Sequence, residues 1–299
     1  IGNDISVRRL PRITLAIIIL NVLIFLLFSL PANVRLNNRS TELRHRMNDI
    51  LMRYFNEECR QGKYEYSNNG LNKFVSDFEN GEILDSDNPD YYSYLQMKYE
   101  YNALINRNIN YKFGYIPAKP TPITLISHMF LHGGFMHLLG NMWFLWLVGI
   151  SLEDRWGRWY YLIFYLLSGI FAVTIYGFAT AMKTIPLIGA SGAIAGLMGA
   201  FMVRFYNSKM RYFWFFLLFI KPYWGIFEIT SWFAMGLWFL NQVLQQTLFS
   251  GKSHVAFLAH IYGFIFGVGV ALILKYTGIE DKFIKETVLL LDGQTIQSL

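Results

Sequence analysis

Ser191 lies in Gly189-Ala190-Ser191-Gly192-Ala193-Ile194-Ala195-Gly196-Leu197-Met198-Gly199, a run of small residues carrying a single hydroxyl. On its own the run reads as a seam for close helix packing, because Gly192 and Gly196 form a G-x-x-x-G pair and serine is common in such seams. His260, in Ala259-His260-Ile261-Tyr262-Gly263-Phe264-Ile265-Phe266-Gly267, changes the reading. An imidazole inside a long apolar run is a functional candidate. Gly263 and Gly267 follow it at i+3 and i+7, on the same helical face. Two helices lined with glycine approach closely, and that approach would bring the Ser191 hydroxyl within reach of a His260 general base. The chemistry on offer is nucleophilic attack on a carbonyl.

A second polar group occupies His132-Gly133-Gly134-Phe135-Met136-His137-Leu138-Leu139-Gly140-Asn141. His137 and Asn141 are four apart and share a helix face. Interhelical hydrogen bonding would explain them. They could equally join the Ser191 backbone N–H as donors to the oxyanion of a tetrahedral intermediate, with His132 serving water supply or loop hydrogen bonds. From Arg155 to Gly278 the only acidic residue is Glu228, expected on the far side of the apolar layer. A third, carboxylate member is therefore missing, and a Ser-His dyad is expected in place of a triad.

The elements that carry these residues are apolar: 54% of the 299 residues are hydrophobic and 15% charged, which argues against a soluble domain. Six runs are long enough to cross a hydrocarbon core of about 30 Å at about 1.5 Å per helical residue. They cover 13–30, 121–151, 159–181, 185–206, 229–247 and 255–275. The expectation is an all-α polytopic membrane protein, a bundle of six transmembrane helices. The first run reads as an uncleaved anchor, since no small-x-small cleavage site follows it. Arg8, Arg9 and Arg12, then Arg155 and Arg158, then Arg204, Lys209 and Arg211, then Lys275, Lys282 and Lys285 all fall on one side if the runs alternate. Short basic loops stay in the cytoplasm, so both termini are expected there. The net charge of +6 then reads as topology and not as nucleic-acid binding. Cys59, the single cysteine, has no disulfide partner in the chain, and nothing calls for a metal or other cofactor.

Four segments follow: an N-terminus with the first anchor (1–30), an extracytoplasmic insert (31–118), the core with the remaining five spans (119–276) and a cytoplasmic tail (277–299). The insert holds 12 of the 20 acidic residues, which marks it as water-exposed. Ser40 and Thr41 look like a helix cap, 89–105 like a second helix, and Asn68-Asn69-Gly70 and 85–89 like turns. Residues 212–220 are too short to cross as a helix and suit a hairpin or short helix at the interface. Trp143, Trp146, Trp156, Trp159 and Trp238 suit interfacial or lipid-facing positions.

With His137/Asn141, Gly189-Ala190-Ser191-Gly192 and Ala259-His260 through Gly267 in this order, the sequence resembles the rhomboid family of intramembrane serine proteases, of a bacterial type with an enlarged first loop. The resemblance covers roughly 114–275 and the first anchor. It implies Ser191 as nucleophile, His260 as base, and His137 and Asn141 as oxyanion donors, while the residues themselves make Gly189, Gly192, Gly196, Gly263 and Gly267 the expected packing positions. Glu153 and Arg155 match a polar pair that follows the second span in the family, and a structural role is expected for them. It implies transmembrane proteins as substrates, cut near the outer face at a small residue, and a multi-pass location in a cell membrane, of the bacterial cytoplasmic kind. Two departures stand out. Pro120-Thr121-Pro122-Ile123 replaces a Trp-Arg pair often found in the first loop, and Ala195 stands where some members place an aromatic against the histidine. The insert could bind substrate or an external ligand. Rival readings are a catalytically silent client-binding relative and a proton-coupled transporter that uses the histidines as a relay.

Overall fold

Strand β1 (Gly2–Asn3) opens the chain, and helix α1 (Arg12–Ile24) follows and passes into a π-helical turn, Phe25–Ser29. The computed structural model describes residues 2–3, 10–84, 88–218, 221–249 and 255–280. Arg8 and Arg9, Lys282 and Lys285, and the tail from 281 to 299 lie outside them. Two compact units emerge, one of Leu30–Lys112 and one of the remaining chain.

In the Leu30–Lys112 unit, α2 (Leu30–Arg60) runs without a break past Ser40, which is buried and caps nothing. No start signal is needed at Ser40, because helicity already runs unbroken from Arg12 through the π-helical turn and past Pro31. Helix α3 (Asn68–Glu79) begins at the segment expected to be a turn: the Ser67 hydroxyl accepts from Gly70 N–H at 3.0 Å and caps it. The Asn88 side chain caps α4 (Pro89–Arg107) the same way, with Pro89 at its first position. Phe55, Phe74, Phe78, Tyr91 and Tyr94 form the core, ring against ring at 5.2 to 5.8 Å. Cys59 is a buried free thiol at its edge. Arg39 grips the Glu100 carboxylate with Nε and Nη2, at 2.7 and 2.9 Å.

A one-turn helix, α5 (Ile109–Phe113), leads to the second half of the other unit. Residues from Phe113 on belong with this unit and not with the insert: Tyr115 pairs with Leu187 through both backbone bonds, and Ala118 N–H donates to Lys183 C=O. The single long helix expected over 121–151 is replaced by three pieces. A short α6 (Thr124–Ser127) and a 3-10 turn (His128–Phe130) come first, and α7 starts only at Phe135 and runs to Trp156. Gly133 and Gly134 break the run, and Gly157, at φ 78°, ends α7. Helix α8 (Arg158–Ala179) follows. Residues 185–190 are not helical, so α9 is only Ser191–Arg204, 14 residues and about 21 Å.

Strands β2 (Lys209–Leu218) and β3 (Lys221–Thr230) form an antiparallel hairpin in register Lys209↔Thr230. This selects the hairpin of the two expected forms, and it takes Ile229 and Thr230 from the fifth predicted run. Helix α10 is Ser231–Phe249, and α11 is Phe257–Thr277. Among the described residues four helical stretches are long and apolar enough to cross a membrane: Arg12–Arg60, α7, α8 and α11. Helix α9 falls short in length, and α10 is diluted by Asn241, Gln242, Gln245 and Gln246.

Glu153 and Arg155 do not pair with each other. The Glu153 carboxylate accepts from the Ile13 and Thr14 backbone N–H groups and the Thr14 hydroxyl, at 2.8 to 2.9 Å, and so caps α1. Arg155 and Arg204 both bind buried Glu280, at 2.8 and 2.5 Å. Trp156, expected at an interface, is buried against Phe164, whereas Trp143, Trp146 and Trp159 are exposed.

Candidate active site

The site begins with glycine. A Cβ on Gly263 would strike the Gly192 carbonyl, and one on Gly267 would strike that of Gly196. A Cβ on Gly196 would come within 2.6 Å of the Ser168 side chain on α8. The backbones of α9 and α11 are therefore in direct contact, and Gly199, against the Phe264 carbonyl, extends the seam one turn further. No side chain keeps the helices apart. The contact sets Ser191, first residue of α9, against His260 in the first turn of α11, with Ser191 Oγ 2.8 Å from His260 Nε2. A serine hydroxyl that donates to an imidazole nitrogen is the arrangement a nucleophile and its base require.

Gly189 stands apart from the packing glycines. It precedes α9 with φ at 123°, and a Cβ there would lie 2.8 Å from His137 Nε2 and 3.7 Å from Asn141 Nδ2. The conformation is one that glycine alone adopts readily. It lets the two α7 side chains close over the backbone just ahead of Ser191. The approach strand is held twice, by the Tyr115–Leu187 pair and by Gly189 N–H donating to the His128 carbonyl at 2.9 Å. His128 is itself fixed by its Nδ1 contact with Thr124 C=O, at 2.8 Å. His132 is fully buried with its ring 5.2 Å from that of His137, but it sits in the loop before α7 and not on a span.

The Ser191 backbone N–H belongs to the first turn of α9, where N–H groups lack helical partners. It could act as a donor beside His137 and Asn141, whose side chains lie next to Gly189, two residues before Ser191. Asn141 Nδ2 is buried and has no protein hydrogen-bond partner among the described residues.

The other ring nitrogen, His260 Nδ1, lies 2.8 Å from Gln242 Oε1 on α10. The Trp238 ring lies at a tilt 6.1 Å from the imidazole, and Phe257 meets it edge-on at 6.3 Å. These residues surround the imidazole where Ala195 offers no ring. Trp238, expected at a lipid face, points into the site. Gln242 escaped a sequence reading that sought only carboxylates, although it is an amide within a predicted span.

The chain matches the family model for the Rhomboid domain over residues 119–277, just over half its length. It is 37% identical over 78 residues to RHOMBOID-like protein 5 of Arabidopsis thaliana, 26% of this chain and 25% of that one. It is 39% identical over 87 residues to rhomboid protease GluP of Bacillus subtilis (strain 168), 29% of this chain and 17% of that one. Over 86 residues it is 41% identical to the putative rhomboid protease YdcA of the same organism, 28% of this chain and 43% of that one. The chain thus spans less than half the length of each of these relatives.

Proposed function

The chain belongs to the rhomboid family, whose members are generally intramembrane serine proteases, and from that premise we propose that it is a serine endopeptidase that cuts the transmembrane segments of membrane proteins with a Ser191–His260 dyad. The observation that carries the reading is the 2.8 Å contact of Ser191 Oγ with His260 Nε2 at the head of two glycine-packed helices.

In the proposed reaction Ser191 Oγ attacks the substrate carbonyl carbon while its proton passes to His260 Nε2. The oxyanion is held by His137, Asn141 and the Ser191 N–H. The tetrahedral intermediate collapses, the C–N bond breaks, and His260 gives its proton to the departing amine. A water, deprotonated by the same nitrogen, then hydrolyses the acyl-enzyme, which releases a carboxylate and restores the serine. The substrate presents a small residue at the cleaved bond.

In the same reading α1, α7, α8, α9, α10 and α11 are the six spans of a multi-pass protein of the bacterial cytoplasmic membrane. Both termini are cytoplasmic and the insert is extracytoplasmic, where it could bind substrate or an external ligand. A catalytically silent relative is not favoured, since both dyad groups are present and in contact. Ser191→Ala in proteoliposomes with a reporter transmembrane substrate is expected to abolish cleavage and fluorophosphonate labelling together. Cleavage that persists would overturn the assignment.

A further inference from the structure

A neutral imidazole has one N–H and one lone pair, and a base facing Ser191 must present the lone pair on Nε2. Nδ1 then carries the hydrogen. In a buried site that hydrogen needs an acceptor, since an unpaired polar group there costs about 1–3 kcal/mol. The aromatic neighbours, Trp238 and Phe257, offer none along the ring plane. The one side-chain oxygen bonded to Nδ1 is Gln242 Oε1, at 2.8 Å, on a buried residue of α10.

We propose that Gln242 is the positioning residue of the dyad: its side-chain carbonyl accepts the Nδ1–H of His260 and selects the tautomer whose Nε2 faces Ser191. The inference rests on the dyad reading above. Gln242 touches neither the serine nor the substrate and acts through the imidazole alone. An amide suits this depth, because it orients the ring without the desolvation cost of a buried carboxylate. It also carries a liability that a carboxylate lacks. Turned over, it would offer its NH2 to Nδ1 and favour the tautomer with hydrogen on Nε2, which cannot act as base. The role therefore belongs to the acceptor atom.

That atom can be removed and restored. Gln242→Met keeps the shape and loses the acceptor, and Gln242→Glu keeps an acceptor at the same reach. In proteoliposomes with the reporter substrate, Gln242→Met is expected to lower kcat roughly 10- to 100-fold, the usual effect of losing a residue that orients a reacting group, with KM unchanged. Gln242→Glu is expected to recover most of that loss. A purely packing role predicts the reverse order, since methionine packs better than glutamate among apolar neighbours. Wild-type kcat in the methionine variant, or a glutamate variant no better than methionine, would overturn the proposal. Should the methionine variant fail to insert, wild-type protein with 15N-labelled histidine decides: the signals lost in His260→Ala must be those of an Nδ1-protonated ring, and an Nε2-protonated ring refutes the role. Ser191→Ala in the same assay separates the two readings. Cleavage that survives it sinks the dyad itself, whereas its loss beside a fully active Gln242→Met sinks only the role of Gln242.

Discussion

Asn141 is buried and carries an amide N–H pair with no protein acceptor among the described residues, close to the backbone that leads into Ser191. A donor kept idle in a buried site is costly unless something passing through the site uses it. A developing oxyanion would. Asn141→Ala is therefore expected to lower kcat on the reporter substrate about 100- to 1,000-fold with KM little changed, the range found when one oxyanion donor is removed. An equal rise in KM would mean that Asn141 binds ground-state substrate instead. Ser191, His260, His137 and Asn141 could be read from the sequence because each is a polar side chain in an apolar or glycine-rich run. Gln242 is also a polar side chain within a predicted span, but only the fold reveals that α10 brings it to the far side of the imidazole.

At the scale of elements, the seam between α9 and α11 sets the catalytic distance. Its glycines sit against opposing carbonyls, so any side chain there must move a helix. Gly267→Leu is expected to cost about 1–3 kcal/mol of stability through overpacking. Because Gly267 lies two turns below His260, the displacement should also cut fluorophosphonate labelling of Ser191, with the loss read in the same sample as a lowered melting temperature. Labelling at the wild-type rate in a protein that melts early would show that seam and site are uncoupled. The seam was legible as two G-x-x-x-G pairs. The start of α7 was not, because hydropathy alone carried the second run back to 121, whereas Gly133 and Gly134 separate α7 from the short α6 and 3-10 turn before it. The fourth run was overextended for a related reason. Ile185, Leu187 and Ile188 are apolar but not helical, and Leu187 is committed to pairing with Tyr115.

On the scale of the whole molecule, the Leu30–Lys112 unit has an aromatic core of its own and a polar shell that responds to acid. Burial works to raise the pKa of Glu79, but hydrogen bonds from Lys98 and Tyr94, each 2.7 Å from its Oε1, outweigh it and hold the carboxyl below its ordinary 4.5. A carboxyl depressed by folding stabilises the fold above its unfolded pKa, and that contribution fades as pH drops through the folded value. Hydrogen-exchange protection of α3 and α4 in the full chain should therefore decline as pH falls below 4.5, and Glu79→Gln should flatten the decline. A variant as acid-sensitive as the wild type would place the trigger elsewhere. Deletion of Asn33 to Asn110 is expected to leave labelling of Ser191 within about 3-fold of wild type, since a unit with its own core lends little to another. Selective loss of cleavage for some substrates in that variant would assign the insert to recruitment.

Helix α9, at 14 residues and about 21 Å, is about 9 Å shorter than the hydrocarbon layer that the proposed reading has it cross. Its first residue is the serine, so under that reading a deficit taken up at this end would set the reactive group in a recess below the headgroups. Such a recess acts as a ruler. Under the proposed function, the bond that is cut would be chosen by how far it lies below the headgroups as much as by the letters on either side. Lipid thickness then becomes part of the specificity, and a thicker bilayer would shift the cut along one and the same substrate.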